Sequence, residues 1–148
     1  MSNDADRKDT TRRDFVQAVY YFARSVQLKP DDADVLTNYS VALAAMNRFA
    51  DAQQQIEAAL KAEPKSPDAH NFRGTLLDRL GLHSDALREF LEAVRLRPGF
   101  GLAHLNAGKI LAAQGDLPAA EQHLRTAAAS DDPNIQRQAA SLLRQLGR

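Results

Sequence analysis

The 148-residue sequence contains no cysteine and no tryptophan. Without cysteine it cannot form a disulfide, a thiolate zinc site, an iron–sulfur cluster or a cysteine nucleophile. It also lacks any apolar run approaching the roughly 18 residues of a transmembrane helix, and its polar start, Met1–Arg13, lacks the apolar stretch of a secretory signal. We therefore expect a cytoplasmic protein that makes no membrane contact.

The sequence also lacks an excess of either charge. Lys and Arg number 19, Asp and Glu number 19, and the formal net charge is zero. A chain without a net positive field lacks the usual electrostatic basis for binding the phosphates of nucleic acid. We therefore expect no nucleic-acid partner.

The β-branched residues Val and Ile, which favour strands, are scarce as well. Val and Ile together number nine, whereas Ala numbers 26 and Leu 19. Ala and Leu are strong helix formers, while Val and Ile are enriched in strands. The composition therefore predicts an all-α protein.

The chain repeats with a period of 34 residues. Each period contains two apolar stripes at helical spacing, separated by a short break, and a proline that cannot continue a helix follows the second stripe. Each period therefore predicts a helical hairpin. We call a set of positions that lie 34 residues apart a column. The columns with similar residues include Ala18, Ala52, Ala86 and Ala120; Pro30, Pro64 and Pro98; Phe22, Ile56, Phe90 and Leu124; and Ser40, Gly74 and Gly108.

Glycines fall at two kinds of position in this pattern. Gly81 and Gly115 lie between the two helices of a hairpin, where a helix often ends in left-handed backbone. Gly74 and Gly108 lie inside helices, where glycine costs about 1 kcal/mol relative to alanine. Their small size predicts close contact between the helices of a pair.

These units resemble the tetratricopeptide repeat (TPR), a 34-residue helix–turn–helix with small, alanine, phenylalanine and proline positions. The resemblance implies an all-α, right-handed superhelical solenoid of antiparallel helix pairs. We predict one domain over residues 11–148, preceded by a flexible tail at 1–10 because that segment is polar. Within the domain we predict a half repeat at 11–29, repeats at 33–66, 67–100 and 101–133, and a capping helix at 134–146.

The predicted half repeat lacks its first helix, and its remaining helix is apolar around most of its circumference from Phe15 to Ala23. Such a helix requires cover on more than one side. Two interpretations remain open: the N-terminal tail partly wraps this end, or two copies of the chain form a homodimer here. The homodimer would use Phe15, Val16, Val19 and Tyr20.

Motifs for catalysis are not evident. The chain has no glycine-rich phosphate-binding motif. His70 and His104 occupy one column of the repeat, so packing explains their recurrence. The run His83-Ser84-Asp85 contains the residue types of a catalytic triad, but adjacent side chains at a helix start cannot align as one, and Ser84 is interpreted as a helix N-cap. We expect no catalytic, cofactor-binding or metal site.

Helical-pair solenoids bind partners on a concave face lined by the first helix of each pair. The helix positions about 100° from the packing stripe, which are also the columns that the TPR resemblance selects, predict a groove for a protein or peptide segment. The chaperone-binding carboxylate clamp of the family is absent, because its columns hold Thr37, Val41, Phe72, Leu102 and Asn106. The predicted groove residues are Asn38, Val41, Asn71, Phe72, Thr75, Asp78, Arg79, Leu105, Asn106 and Lys109.

Two functional interpretations follow. The first is a non-catalytic protein–protein interaction module or scaffold that holds a peptide or protein segment in its groove. The alternative is a TPR regulatory or targeting segment of a larger enzyme or of a secretion or assembly component, which the missing first helix of the half repeat suggests.

Overall fold

The computed structural model describes residues 4–147, which form α-helices and turns without a strand. The predicted all-α fold is confirmed. The helices are α1 (Asp4–Leu28), α2 (Ala33–Ala45), α3 (Phe49–Ala62), α4 (Pro67–Arg79), α5 (His83–Leu96), α6 (Gly101–Ala113), α7 (Leu117–Ala128) and α8 (Pro133–Gln145).

The N-terminal segment differs from the sequence prediction. A flexible tail is predicted at residues 1–10, but Asp4–Thr10 form the first turns of α1. Asp4 and Asp6 lie in the first turn, where the helix dipole stabilises carboxylates. The Thr10 hydroxyl donates to the Asp6 carbonyl oxygen at 2.8 Å. Local polar contacts thus accompany helix formation in this segment, which has few apolar residues. Residues 1–3 of the predicted tail lie outside the described range.

The chain divides within α4 into two compact units, residues 1–72 and 73–148. In the first unit, α2 packs against both α1 and α3. Leu36 and Leu43 of α2 and Ile56 of α3 are at most 1% exposed. These residues are the large side chains at the centre of the first predicted hairpin.

In the second unit, α6 packs against α5, α7 and α8. Phe90 of α5 is buried in a cluster with Ala107 and Ile110 of α6. A second cluster joins Leu105 of α6 and Leu124 of α7 to Ala139 of α8. Helix α8 therefore covers apolar surface of the last repeat, which is the position of the predicted cap.

The turns and the small-residue column follow the 34-residue period. Asn47, Gly81 and Gly115 have φ values of 60°, 80° and 85°, so each hairpin turn contains one residue with left-handed backbone. The predicted close helix contact also occurs. A Cβ added at Gly108 would lie 2.7 Å from Leu124 Cγ, and the Ser40 hydroxyl donates to the Ala52 carbonyl oxygen at 2.5 Å.

Candidate functional site

The structure separates the predicted groove residues into surface and interior positions. Most of them reach the surface on the first helix of a pair. Exposed members are Asn38, Val41, Asp78, Arg79 and Lys109, and half-buried members are Phe72, Thr75 and Asn106.

Two predicted groove residues lie in the interior, so the prediction is wrong for them. Leu105 is 1% exposed and packs with Leu124 and Ala139. Its column is buried in the preceding repeats as well, since the equivalent Thr37 is 8% exposed. Asn71 is 6% exposed, which leaves its side chain too little surface for a partner.

A first depression in the second unit lies where α4 ends, α5 begins and α6 passes beside them. Its volume is about 490 Å³, within the range of small binding pockets. Two predicted groove residues, Asp78 and Lys109, both line this depression. The remaining lining residues are Gly81, His83, Ser84, Ile110, Ala113 and Gln114.

A second depression of about 340 Å³ lies between α6 and α8. Lys109 lines both depressions, so the two adjoin at this lysine. We refer to the pair of depressions as the Lys109 trough. The second depression is lined by Lys109, Arg137, Gln138, Ser141 and Leu142.

The α4 side of the trough carries a paired carboxylate and imidazole. His83 Nδ1 lies 2.6 Å from Asp78 Oδ1, and since a carboxylate accepts, the imidazole nitrogen donates. The predicted role of Ser84 as the N-cap is wrong: the N-cap of α5 is Leu82, and no side chain caps that helix end. Sequence reasoning missed His83 as a site residue because its partner, Asp78, precedes it across a turn.

The α6–α8 side of the trough carries two cations whose partners are neutral. Lys109 Nζ donates to Gln138 Oε1 at 3.2 Å. Arg137 donates to the amide oxygen of Asn134. Within residues 4–147, neither cation contacts a carboxylate.

Arginines on α5 and α7 are paired differently. Arg95 Nε donates to Glu92 Oε2 at 2.9 Å, and Arg125 Nε donates to Glu121 Oε1 at 3.0 Å. Each pair lies three or four residues apart on one helix, the usual spacing for ion pairs on a helix surface. Lys109 and Arg137 therefore differ from these arginines in having no carboxylate within their own helices to balance them.

The first unit contains a depression of about 640 Å³ between α1 and the end of α2. Arg7, Lys8 and Arg12 line it beside Met46 and Asn47. Cations are stabilised near the C-terminal end of a helix, where the last carbonyl groups carry partial negative charge. These basic residues thus have a structural explanation at the end of α2.

The recurring histidines have a structural role. His70 Nε2 lies 2.7 Å from the Pro64 carbonyl oxygen, and His104 Nε2 lies 2.7 Å from the Pro98 carbonyl oxygen. A carbonyl only accepts, so Nε2 carries the proton in both rings. The repeat therefore joins its histidine column to its proline column by a hydrogen bond, which agrees with the packing role predicted from the sequence.

His104 also contacts a second histidine that sequence reasoning missed. Its Nδ1 lies 3.0 Å from His123 Nδ1 of α7. Since Nε2 of His104 donates to Pro98, a neutral His104 accepts at Nδ1 and His123 donates. Burial lowers the pKa of His123, and the neighbouring His104 lowers it further. No group of three or more metal-ligating side chains occurs in the described part of the chain.

The described helices include none that is long and apolar enough to cross a lipid bilayer.

Comparisons with solved structures agree with this architecture. The TPR domain of P58(IPK) has a TM-score of 0.74 and 27% identity, and the match covers 77% of this chain and 32% of that one. A thermophilic TPR protein of Thermus thermophilus has a TM-score of 0.75 and 23% identity, with 90% of this chain and 75% of that one covered. The fold is an all-α helical-repeat solenoid.

Curated relatives are longer proteins. Protein FlbA of Caulobacter vibrioides is 32% identical over 139 residues, which covers 88% of this chain and 23% of FlbA. The tetratricopeptide repeat and J domain-containing co-chaperone DNJ1 of Cryptococcus neoformans is 30% identical over 96 residues, which covers 65% of this chain and 18% of DNJ1. This chain thus spans about a fifth of the length of these relatives.

Two family models match most of the sequence. Two models described as tetratricopeptide repeat match residues 11–76 and 73–135. Together with the helix pairs, the left-handed turns and the small-residue contacts, these matches show that the chain belongs to the tetratricopeptide repeat family and is a protein-interaction module.

Proposed function

We propose that this protein is a non-catalytic interaction module or scaffold that binds a peptide or protein segment in its groove, and that the Lys109 trough is a principal contact surface of that groove. The supporting observation is the trough itself. Two depressions adjoin at one lysine on α6, a first helix of a repeat, where TPR proteins present their concave face.

The chemistry of the trough suits a peptide. Ala113 and Leu142 offer apolar surface, while Gln114 and Gln138 offer amide donors and acceptors for a peptide backbone. Interfaces of this kind combine an apolar centre with polar groups that fix orientation. In the first unit, the exposed side chains of Asn38 and Val41 on α2 offer a further polar and a further apolar contact.

A random peptide library displayed on phage tests this proposal. We expect peptides selected on the full chain to lose binding to a variant with Asp78→Ala and Lys109→Ala. They should retain binding to a variant with Glu121→Ala and Arg125→Ala, which removes an ion pair on α7. Peptides that bind both variants as tightly as the parent chain would show that the trough is not the binding surface.

The interaction can also serve a larger protein. The matched region is 23% of FlbA and 18% of DNJ1, and DNJ1 is named as a co-chaperone. A regulatory or targeting segment of a larger enzyme, or of a secretion or assembly component, is therefore the alternative proposal. Both alternatives use the same groove.

A second candidate function is self-association through α1. Val16, Tyr20 and Tyr21 are 49%, 57% and 65% exposed. Large apolar side chains clustered on one exposed helix favour an interaction surface. We propose a homodimer through the face around Phe15, Val16, Val19 and Tyr20.

A further inference from the structure

We infer that the α6–α8 side of the Lys109 trough recognises a carboxylate, and that the segment bound there is an acidic peptide with an apolar residue beside its Asp or Glu. This inference deepens the proposed function and rests on it. It concerns Lys109 and Arg137. On α6 the family's carboxylate clamp uses the positions of Leu102 and Asn106, whereas Lys109 shares the column of Val41.

The charged side chains of α6 and α8 are all basic. Helix α6 contains Lys109 as its charged residue, and α8 contains Arg137 and Arg144. Neither helix contains Asp or Glu. The surface between them is thus positive although the whole chain has a formal net charge of zero.

Lys109 and Arg137 are both hydrogen-bonded to neutral groups. Their side chains line one depression of about 340 Å³, and their hydrogen bonds go to the amide oxygens of Gln138 and Asn134. An amide oxygen satisfies a donor but leaves its positive charge unbalanced. A carboxylate in the depression would supply the missing charge and a stronger, charge-assisted hydrogen bond.

A helix dipole is one structural reason for a cation to occur on a helix. Cations stabilise a helix when they lie in its last turn. Lys109 precedes the last turn of α6, and Arg137 lies in the first half of α8. Their positions are therefore not explained by the dipoles of their own helices.

The apolar residue of the proposed peptide is inferred from an apolar side chain that lines the depression. Leu142 is half-buried and lines it beside Ser141. A peptide that places a carboxylate on Lys109 and Arg137 can place a neighbouring apolar side chain on Leu142. The zero net charge of the chain disfavours a long polyanion such as nucleic acid, which is bound through an extended positive field.

The probe is a fluorescein-labelled peptide of alternating Glu and Leu, compared with a peptide of alternating Gln and Leu, in anisotropy titrations of the full chain. The Glu peptide should bind more tightly, and its Kd should increase as NaCl is raised from about 0.05 M to about 0.5 M because salt screens exposed charges. Lys109→Gln and Arg137→Gln should each raise the Kd about two- to fivefold, the effect of one exposed ion pair.

Control variants distinguish the loss of a charge in the depression from the loss of folding. Arg144→Gln removes a cation of α8 outside the depression and should leave the Kd unchanged. Lys109→Arg keeps the charge and should retain tight binding. Thermal melts of all variants should coincide with that of the parent chain, because Lys109, Arg137 and Arg144 are exposed.

Other outcomes overturn the inference in distinguishable ways. If the Gln peptide binds as tightly as the Glu peptide and the trough variants weaken both equally, the carboxylate assignment is wrong and the proposed function remains. If neither peptide binds and the phage selection also yields no trough-dependent peptide, both are wrong. A single-stranded oligonucleotide that binds more tightly than the Glu peptide would contradict the assignment to a peptide.

Discussion

Gly74 lies directly against the ring of Phe90, so that a Cβ added at Gly74 would lie 2.6 Å from Phe90 Cε1 and 2.8 Å from Cδ1. Phe90 is 1% exposed, and its ring has little room to move away. Gly108 has the same relation to Leu124 one repeat later. Absence of a side chain is therefore a packing requirement at this column.

Substitution of either helical glycine by alanine should destabilise the protein. Alanine ordinarily gains about 1 kcal/mol over glycine in a helix, but overpacking a core costs about 1 to 3 kcal/mol. We expect Gly74→Ala and Gly108→Ala to lower the free energy of unfolding by up to about 2 kcal/mol in urea titrations. Gly99→Ala is the control, since a Cβ there meets nothing within 4 Å; equal stability of all three variants would contradict the packing argument.

The two phenylalanines on either side of the unit boundary should behave differently. Phe90→Ala empties a buried core position and should cost about 3 to 5 kcal/mol. Phe72 is half-buried, so Phe72→Ala should cost clearly less while weakening peptide binding if Phe72 lines the groove. Thermal melts measured beside peptide binding check this prediction. A Phe72→Ala variant that unfolds as readily as Phe90→Ala would place Phe72 in the core instead.

The sequence period predicted the helix pairs, the left-handed turns and the contact column because each depends on neighbours within one repeat. Leu105 and Asn71 were assigned wrongly because the groove positions were chosen by their angle from the packing stripe, whereas the column that contains Thr37, Asn71 and Leu105 is buried in every repeat. Arg137 was missed because its helix was interpreted only as a cap. His123 was missed because its column holds Glu89 and Gln55 in the other repeats, so the pattern gave no signal.

Acidification should destabilise the hairpin of α6 and α7 through His123. Burial, followed by the neighbouring His104, lowers the pKa of His123 in the folded chain. The unfolded chain therefore binds this proton more readily, and the stability contribution is complete above the ordinary histidine pKa of about 6.5. It is lost as the pH falls from that value through the folded pKa.

Thermal melts between about pH 7.5 and about pH 5 measure this effect, because the window begins near the ordinary histidine pKa. The parent chain should lose more stability over this interval than His123→Gln, which keeps a donor for His104 but cannot titrate. Parallel curves for the two proteins would show that His123 does not govern the pH response.

Charged residues on the exposed face of α1 should prevent self-association. Val16→Lys combined with Tyr20→Lys places two ammonium groups in the proposed dimer interface, where burial without partners is costly. We expect the parent chain to sediment as a dimer and this variant as a monomer in analytical ultracentrifugation. Gln27→Lys, at an exposed position nearer the end of α1, should remain dimeric. A parent chain that stays monomeric at high concentration would contradict the dimer.

The most direct test of the account is to map a bound peptide onto the protein. Backbone amide shifts of the ¹⁵N-labelled full chain should be recorded during titration with a peptide selected by phage display. We expect the largest changes at the end of α4, along α6 around Lys109 and in α8 around Gln138. Changes confined to α5 and α7, with the amides around Lys109 unmoved, would contradict the assignment of the Lys109 trough as the binding surface.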